Sequence, residues 1–142
     1  MAKPVQHGMP LRVLFVCTGN ICRSPTAEAV FRHLVFAERL HDHVLVDSAG
    51  THGYHVGEQP DRRSVRAAGQ RGYNMTHLRA RRLVRSDFFN FDYLLAMDRD
   101  HRAILERGAP AEHQHKISLF LDFSQNYSGQ DVPDPYYGVG QG

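Results

Sequence analysis

Cys17 and Arg23 stand six positions apart in Cys17-Thr18-Gly19-Asn20-Ile21-Cys22-Arg23-Ser24-Pro25, and their types suggest one chemistry. A thiolate is a nucleophile, and it forms where N–H groups or cations stabilise its charge. A guanidinium offers a planar fork that fits two oxygens of a phosphate. Gly19 permits a tight turn and a close backbone approach. Asn20 tolerates a left-handed backbone and can bond the loop to itself. Ser24 carries a hydroxyl that can reach back to the sulfur. The set suits a thiolate working inside a phosphate-binding loop.

Such a loop needs a strand before it and a helix after it. Val13 to Val16 is apolar without alternation, which reads as a strand buried on both faces. Ser24-Pro25 reads as an N-cap and first-turn pair. Beyond it Ala27, Val30, Phe31, Leu34 and Val35 fall on one helical face. A strand-to-helix junction is where open α/β sheets bind ligands, and where free N–H groups favour an anion. The plain alternative makes Cys17 a small buried hydrophobe and Arg23 a surface residue. It leaves the register of strand, turn residues and helix start unexplained.

The 142 residues suit one domain with one core, and a net charge of +2 makes no case for nucleic acid. No apolar run reaches the roughly 20 residues that span a membrane. Residues 1–10 lack an apolar signal core and read as a disordered lead-in, leaving 11–142 as the domain. Cys17 and Cys22 make no disulfide framework, so reduced thiols and a cytoplasmic setting are expected. No G-x-x-x-x-G-K-[ST] occurs. His41 with His43, and His113 with His115, are spaced as ligand pairs, but no cysteine pair has structural-zinc spacing, so no metal is expected. Arg79, Arg81, Arg82 and Arg85 read as a solvated face without interleaved aromatics.

The stretch Cys17 to Pro25, with Ala27-Glu28 after it, resembles the signature of the low-molecular-weight protein tyrosine phosphatases. Asp47-Ser48-Ala49-Gly50-Thr51 resembles the segment after that family's second strand. Phe91 to Asp98 resembles its third strand and the turn beyond, and Asp134-Pro135-Tyr136-Tyr137 its acid loop. The resemblance implies a three-layer α/β sandwich around a four-stranded parallel sheet of order 2-1-3-4. It implies metal-independent, cofactor-free hydrolysis of phosphotyrosine in proteins, through a phosphocysteine. Cys17 would be nucleophile, Arg23 phosphate ligand and Asp134 general acid. Thr18, Gly19, Asn20, Ile21, Cys22 and Ser24 would complete the phosphate-binding loop. His77 would bond Ser48 and Asn20 to stiffen that loop. Ile21 and Tyr54, with Tyr136 or Tyr137 opposite, would wall the substrate ring. Phosphate and vanadate would inhibit, and neither nucleic acid nor membrane is an expected partner. The family's final amphipathic helix after the acid loop has no counterpart before Gly142.

Along the chain, the reading gives a first helix over Pro25 to about Leu40 and a short second strand over Val44 to Val46. A second helix runs over Pro60 to Arg71 and ends at Gly72. A third strand covers Phe91 to Met97, Asp98 caps a helix to Arg107, and a fourth strand covers Lys116 to Phe123. Cys22 lies in the same curled loop as Cys17, close enough to resolve an oxidised Cys17 as a disulfide. Three readings compete. A non-catalytic phosphate-binding module would need neither a thiolate nor Asp134. An arsenate reductase would need further relay cysteines. Protein arginine phosphatases resemble the family too, with a small polar residue where Ile21 stands.

Overall fold

The computed structural model describes residues 9–135. The lead-in expected over 1–10 therefore falls largely outside them, as do Tyr136 and Tyr137. Within this range β1 (Leu11–Cys17), β2 (Val44–Gly50), β3 (Tyr93–Ala96) and β4 (Ile117–Leu119) form one parallel sheet in the order β2-β1-β3-β4. The helices are α1 (Arg23–Ala37), α2 (Arg62–Gln70), a single turn α3 (Asp87–Asn90) and α4 (Arg99–Gly108).

β1 is central, and its apolar run is explained by burial on two sides. Leu14 and Val16 join Leu94, Ala96, Phe88, Leu105 and Leu119 on the face covered by α3 and α4. Val13, Phe15 and Cys17 join Leu95 and Met97 on the opposite face, under Ala27 and Phe31 of α1. Three layers result, with the core split by the sheet. The end of β1 thus emerges between α1 and α4, where two connections meet.

Boundaries differ from the sequence reading in physically informative ways. β2 does not stop at Val46. It runs to Gly50 and pairs with β1 along its whole length, Cys17 opposite Gly50. The polar Asp47 and Ser48 hid this, because Ser48 is buried by bonding rather than by apolarity. β4 ends at Leu119, four residues before the expected Phe123. A 3-10 turn over Phe120–Phe123 replaces the rest, and Phe120 sets its ring edge-on to Phe15, centroids 5.1 Å apart. α1 stops at Ala37, since Arg39 takes a left-handed backbone (φ 60°). α2 starts after the cap Asp61 and is followed by Gly72 at φ 88°, a conformation that favours glycine. No helix of the described residues is long and apolar enough to cross a membrane.

Candidate active site

The loop between β1 and α1 does not begin its helix as the sequence suggested. Ser24 is not the N-cap. α1 starts at Arg23, Cys22 occupies the cap position with φ −126° and ψ −88°, and no side chain caps it. Ser24 is fully buried, and its Oγ lies 2.9 Å from Cys17 Sγ. The Asn20 amide donates to Ser24 Oγ (2.8 Å) and to Ser48 Oγ (2.9 Å). Asn20 Oδ1 accepts the Arg81 backbone N–H at 2.9 Å, which fixes which end of the amide is which. With its oxygen accepting from Asn20, Ser24 has its own hydrogen free to donate to sulfur. Asn20 reaches these partners from a left-handed backbone, φ 58°.

Ser48 donates onward to Glu28 Oε1 at 2.6 Å, and Arg32 pairs with the other carboxylate oxygen. Burial pushes the Glu28 carboxyl up, against the bonds from Ser48 and Arg32. Glu28 thus holds the place that the sequence reading gave to His77. His77 is exposed and bonds neither Ser48 nor Asn20. The Arg81 backbone N–H takes the Oδ1 acceptor of Asn20, while its guanidinium grips Asp47 and Asp87. Arg81 is accordingly no part of a solvated basic face, whereas Arg79, Arg82 and Arg85 are exposed.

The loop's backbone is directed by its carbonyls. Cys17 O accepts from Thr51 N (2.8 Å) and Thr18 O from His52 N (2.9 Å). A trans peptide points its N–H opposite to its C=O, so the Thr18 and Gly19 amides face away from the segment after β2. The backbone N–H groups of Thr18 through Cys22 find no acceptor among the described residues. Such a cluster at a helix N-terminus binds anions. Gly50 makes room for this approach. A Cβ there would lie 2.7 Å from Thr18 O and 3.1 Å from Asn20 N.

Arg23 reaches across from the start of α1. Nη1 donates to Asp98 Oδ2 and to Val132 O, each at 2.9 Å, and Nη2 lies 3.7 Å from Asp134 Oδ2. Asp98 also caps α4, its Oδ1 accepting from His101 N at 2.9 Å. Burial works to raise the Asp98 pKa, but His101 and Arg23 outweigh it and hold the carboxyl below its usual range. Asp131 instead accepts from Arg99 N at 3.0 Å, at the outer edge of α4. A cleft of about 440 Å³ opens here, lined by Cys17, Ile21, Arg23, Tyr54, His101 and Asp134 among others. Tyr54 stands at its rim, 73 % exposed and stacked on His52 at 5.1 Å. Cys22 also lines the cleft, and its Sγ lies 3.1 Å from Ser64 Oγ on α2.

Glu28, Asp98, His101 and Gly50 therefore belong to this site without having been assigned a role from the sequence. Asp98 is legible in the sequence as a helix cap, but its pairing with Arg23 spans 75 residues. Glu28 and His101 gave no signal, because their partners lie 20 and 83 residues away.

Comparison with known proteins agrees with this geometry. The family profile described as Low molecular weight phosphotyrosine protein phosphatase matches residues 12–141. The low molecular weight phosphotyrosine protein phosphatase of Schizosaccharomyces pombe is 44% identical over 133 residues, covering 93% of this chain and 85% of its own. The low molecular weight protein-tyrosine-phosphatase of Streptomyces coelicolor is 46% identical over 133 residues, covering 92% and 80%. Among solved structures, a protein tyrosine phosphatase from Entamoeba histolytica with Hepes in the active site superposes with a TM-score of 0.87 at 44% identity, covering 92% of this chain and 83% of that one. YfkJ from Bacillus subtilis superposes with a TM-score of 0.88 at 38% identity, covering 93% and 83%.

Proposed function

The chain belongs to the low-molecular-weight phosphotyrosine protein phosphatase family, and from that premise we propose how its residues divide the reaction. The enzyme is a metal-independent hydrolase of phosphotyrosine that works through a phosphocysteine. In our reading Cys17 attacks phosphorus in line with the leaving oxygen, and the S–P bond forms as the P–O bond breaks. Arg23 and the amides of Thr18 to Cys22 take the equatorial oxygens and bind them more tightly as charge develops. Asp134, protonated, gives its proton to the departing phenolate. Water then attacks the phosphocysteine and gives a proton to Asp134 as base; the S–P bond breaks, which returns the Cys17 thiolate and the protonated Asp134 and releases phosphate. The observation that carries this reading is the row of amides from Thr18 to Cys22 without acceptors, set beside the sulfur and Arg23.

Ile21 is the apolar wall of the cleft near the sulfur, and Tyr54 the aromatic one at its rim. Together they suit a phenyl ring better than the guanidinium of phosphoarginine. Tyr136 and Tyr137, expected from the resemblance to complete the pocket, lie outside the described residues. A phosphoserine is too short to place phosphorus at Cys17 while its peptide stays at the mouth. The relevant setting is the cytosol, where thiols stay reduced.

Hydrolysis of p-nitrophenyl phosphate and of phosphotyrosine peptides, both in EDTA and with vanadate as competitor, tests the whole reading. Cys17→Ser abolishes turnover and keeps vanadate binding. Asp134→Ala lowers kcat on phosphotyrosine by about a hundredfold or more, with less loss on the better nitrophenolate leaving group. Wild-type rates from Asp134→Ala on phosphotyrosine would remove it as the acid. Equal kcat/KM on matched phosphoserine peptides would remove the pocket assignment.

A further inference from the structure

One buried titratable side chain touches the loop without a part in that mechanism. His101, third residue of α4, is 2 % exposed, and its Nε2 lies 2.8 Å from Thr18 Oγ1. Its Nδ1 is 3.1 Å from Asp98 Oδ1, out of line for a good hydrogen bond. A bare lone pair would repel a carboxylate at that distance, so Nδ1 carries the hydrogen. Nε2 is then an acceptor, and the Thr18 hydroxyl is its donor. The charged groups around the ring are Asp98 and Asp100 on its own helix, Arg23 at the start of α1, and Asp134 on the segment crossing above. Burial, with Arg23 added, pushes the imidazole pKa down against the three carboxylates, which favours this neutral form.

The bond matters because of where Thr18 sits. It follows the nucleophile directly, and its amide is the first of the open row. Its carbonyl is already pinned by His52 N. The side-chain bond anchors the residue from a second side and ties it to the helix whose cap holds Arg23, which limits how far its backbone can turn. One ring thereby couples both ends of the loop, Thr18 directly and Arg23 through Asp98.

We propose that His101 is a positioning residue for phosphoryl transfer: by accepting the Thr18 hydroxyl it keeps the first amide of the cradle aimed at the phosphate. The proposal rests on the reading that these amides bind the phosphoryl oxygens.

Four single variants and one double variant test it, with p-nitrophenyl phosphate turnover and vanadate affinity as readouts. His101→Leu and Thr18→Val each remove one buried hydrogen bond and lower kcat about fivefold to tenfold, with vanadate affinity falling in step. The double variant loses no more than the worse single one, because both remove the same bond. His101→Gln extends an acceptor to about the position of Nε2 and recovers most of the loss. His101→Asn reaches only the position of Nδ1 and does not. Additive losses, equal rates for Gln and Asn, or unchanged kcat in Leu and Val would each overturn the proposal. Thr18→Val keeps side-chain volume, so the question stays decidable if a His101 variant fails to fold. A wild-type protein without turnover or vanadate inhibition would overturn the functional reading instead.

Discussion

Helices α1 and α4 begin side by side at the ends of adjacent strands, yet they begin differently. α4 is capped by Asp98, which accepts from His101 N, and α2 in the same way by Asp61, which accepts from Arg63 N at 2.8 Å. α1 has no side-chain cap at all. Its orphan N–H groups continue into the open amides of Thr18 to Cys22. An exposed helix end normally recruits a Ser, Asp or Asn for this purpose, with a stabilisation of about 1 kcal/mol. At α1 the serine is present but turned inward to Cys17, and the vacant donors are what a phosphate can use. The contrast separates helix starts built for stability from one built for a ligand.

The largest effect expected from this contrast comes from exchanging arginines at the two kinds of start. Arg23 opens α1 and Arg63 lies in the first turn of α2. Arg23→Lys keeps the charge but loses the fork that also holds Asp98 and Val132, and kcat/KM falls by about 10²- to 10³-fold. Arg63→Lys, at a side chain that is 65 % exposed, leaves the rate as it is. Comparable losses from both would erase the distinction.

An intermediate effect sharpens the comparison at the caps themselves. Asp61→Ala removes a true cap and lowers stability by about 1 kcal/mol while kcat stays near wild type. Ser24→Ala strands one Asn20 N–H and costs stability of similar order, about 1–3 kcal/mol, so melting curves do not tell the two apart. Activity does. Ser24→Ala takes the hydroxyl donor from Cys17, so kcat and kcat/KM each fall about tenfold. If Ser24→Ala left both unchanged, Ser24 would be a packing residue.

These differences also show what was legible. The β1 strand, the loop composition and the capped start of α4 follow from local rules, and the sequence carries them openly. The Ser24 cap was misread because Ser-Pro has the same local signature whether the hydroxyl turns out to the helix or in to a thiol. β2 was cut short because Asp47 and Ser48 look like loop residues until the buried chain Asn20–Ser48–Glu28 is seen. The role of His77 is implied only by the resemblance; that Glu28 bonds Ser48 and the Arg81 backbone bonds Asn20 is a matter of long-range contacts that no spacing reveals. The parallel order of four strands is likewise a matter of long-range pairing.

The smallest effect on the reduced enzyme, and the finest cut within the uncapped start, is at Cys22. Two cysteines five residues apart have opposite surroundings. Cys17 faces the polar cleft beside Ser24, while Cys22 lines both that cleft and a second, apolar cavity between α1 and α2. Burial raises the Cys22 thiol pKa despite the bond from Ser64, with Asp61 and Cys17 adding to the rise. That makes Cys22 the poorer nucleophile near neutral pH, so we propose that peroxide oxidises Cys17 first, to a sulfenic acid. Attack by the Cys22 sulfur would then form the disulfide and release the sulfenic oxygen as water, before further oxidation becomes irreversible. Cys22→Ser should keep most of its kcat when reduced, because the Ser64 hydroxyl can bond serine as it bonds the thiol. After a mild peroxide dose the wild type should lose two hydrogens across the peptide spanning Cys17 and Cys22, and regain activity with dithiothreitol. The variant should carry sulfinic acid at Cys17 and stay inactive. Phosphate in the cleft should slow both losses by covering Cys17. Full recovery of Cys22→Ser under the same dose would make Cys22 a residue that merely fits between α1 and α2, and leave Cys17 without a protecting partner.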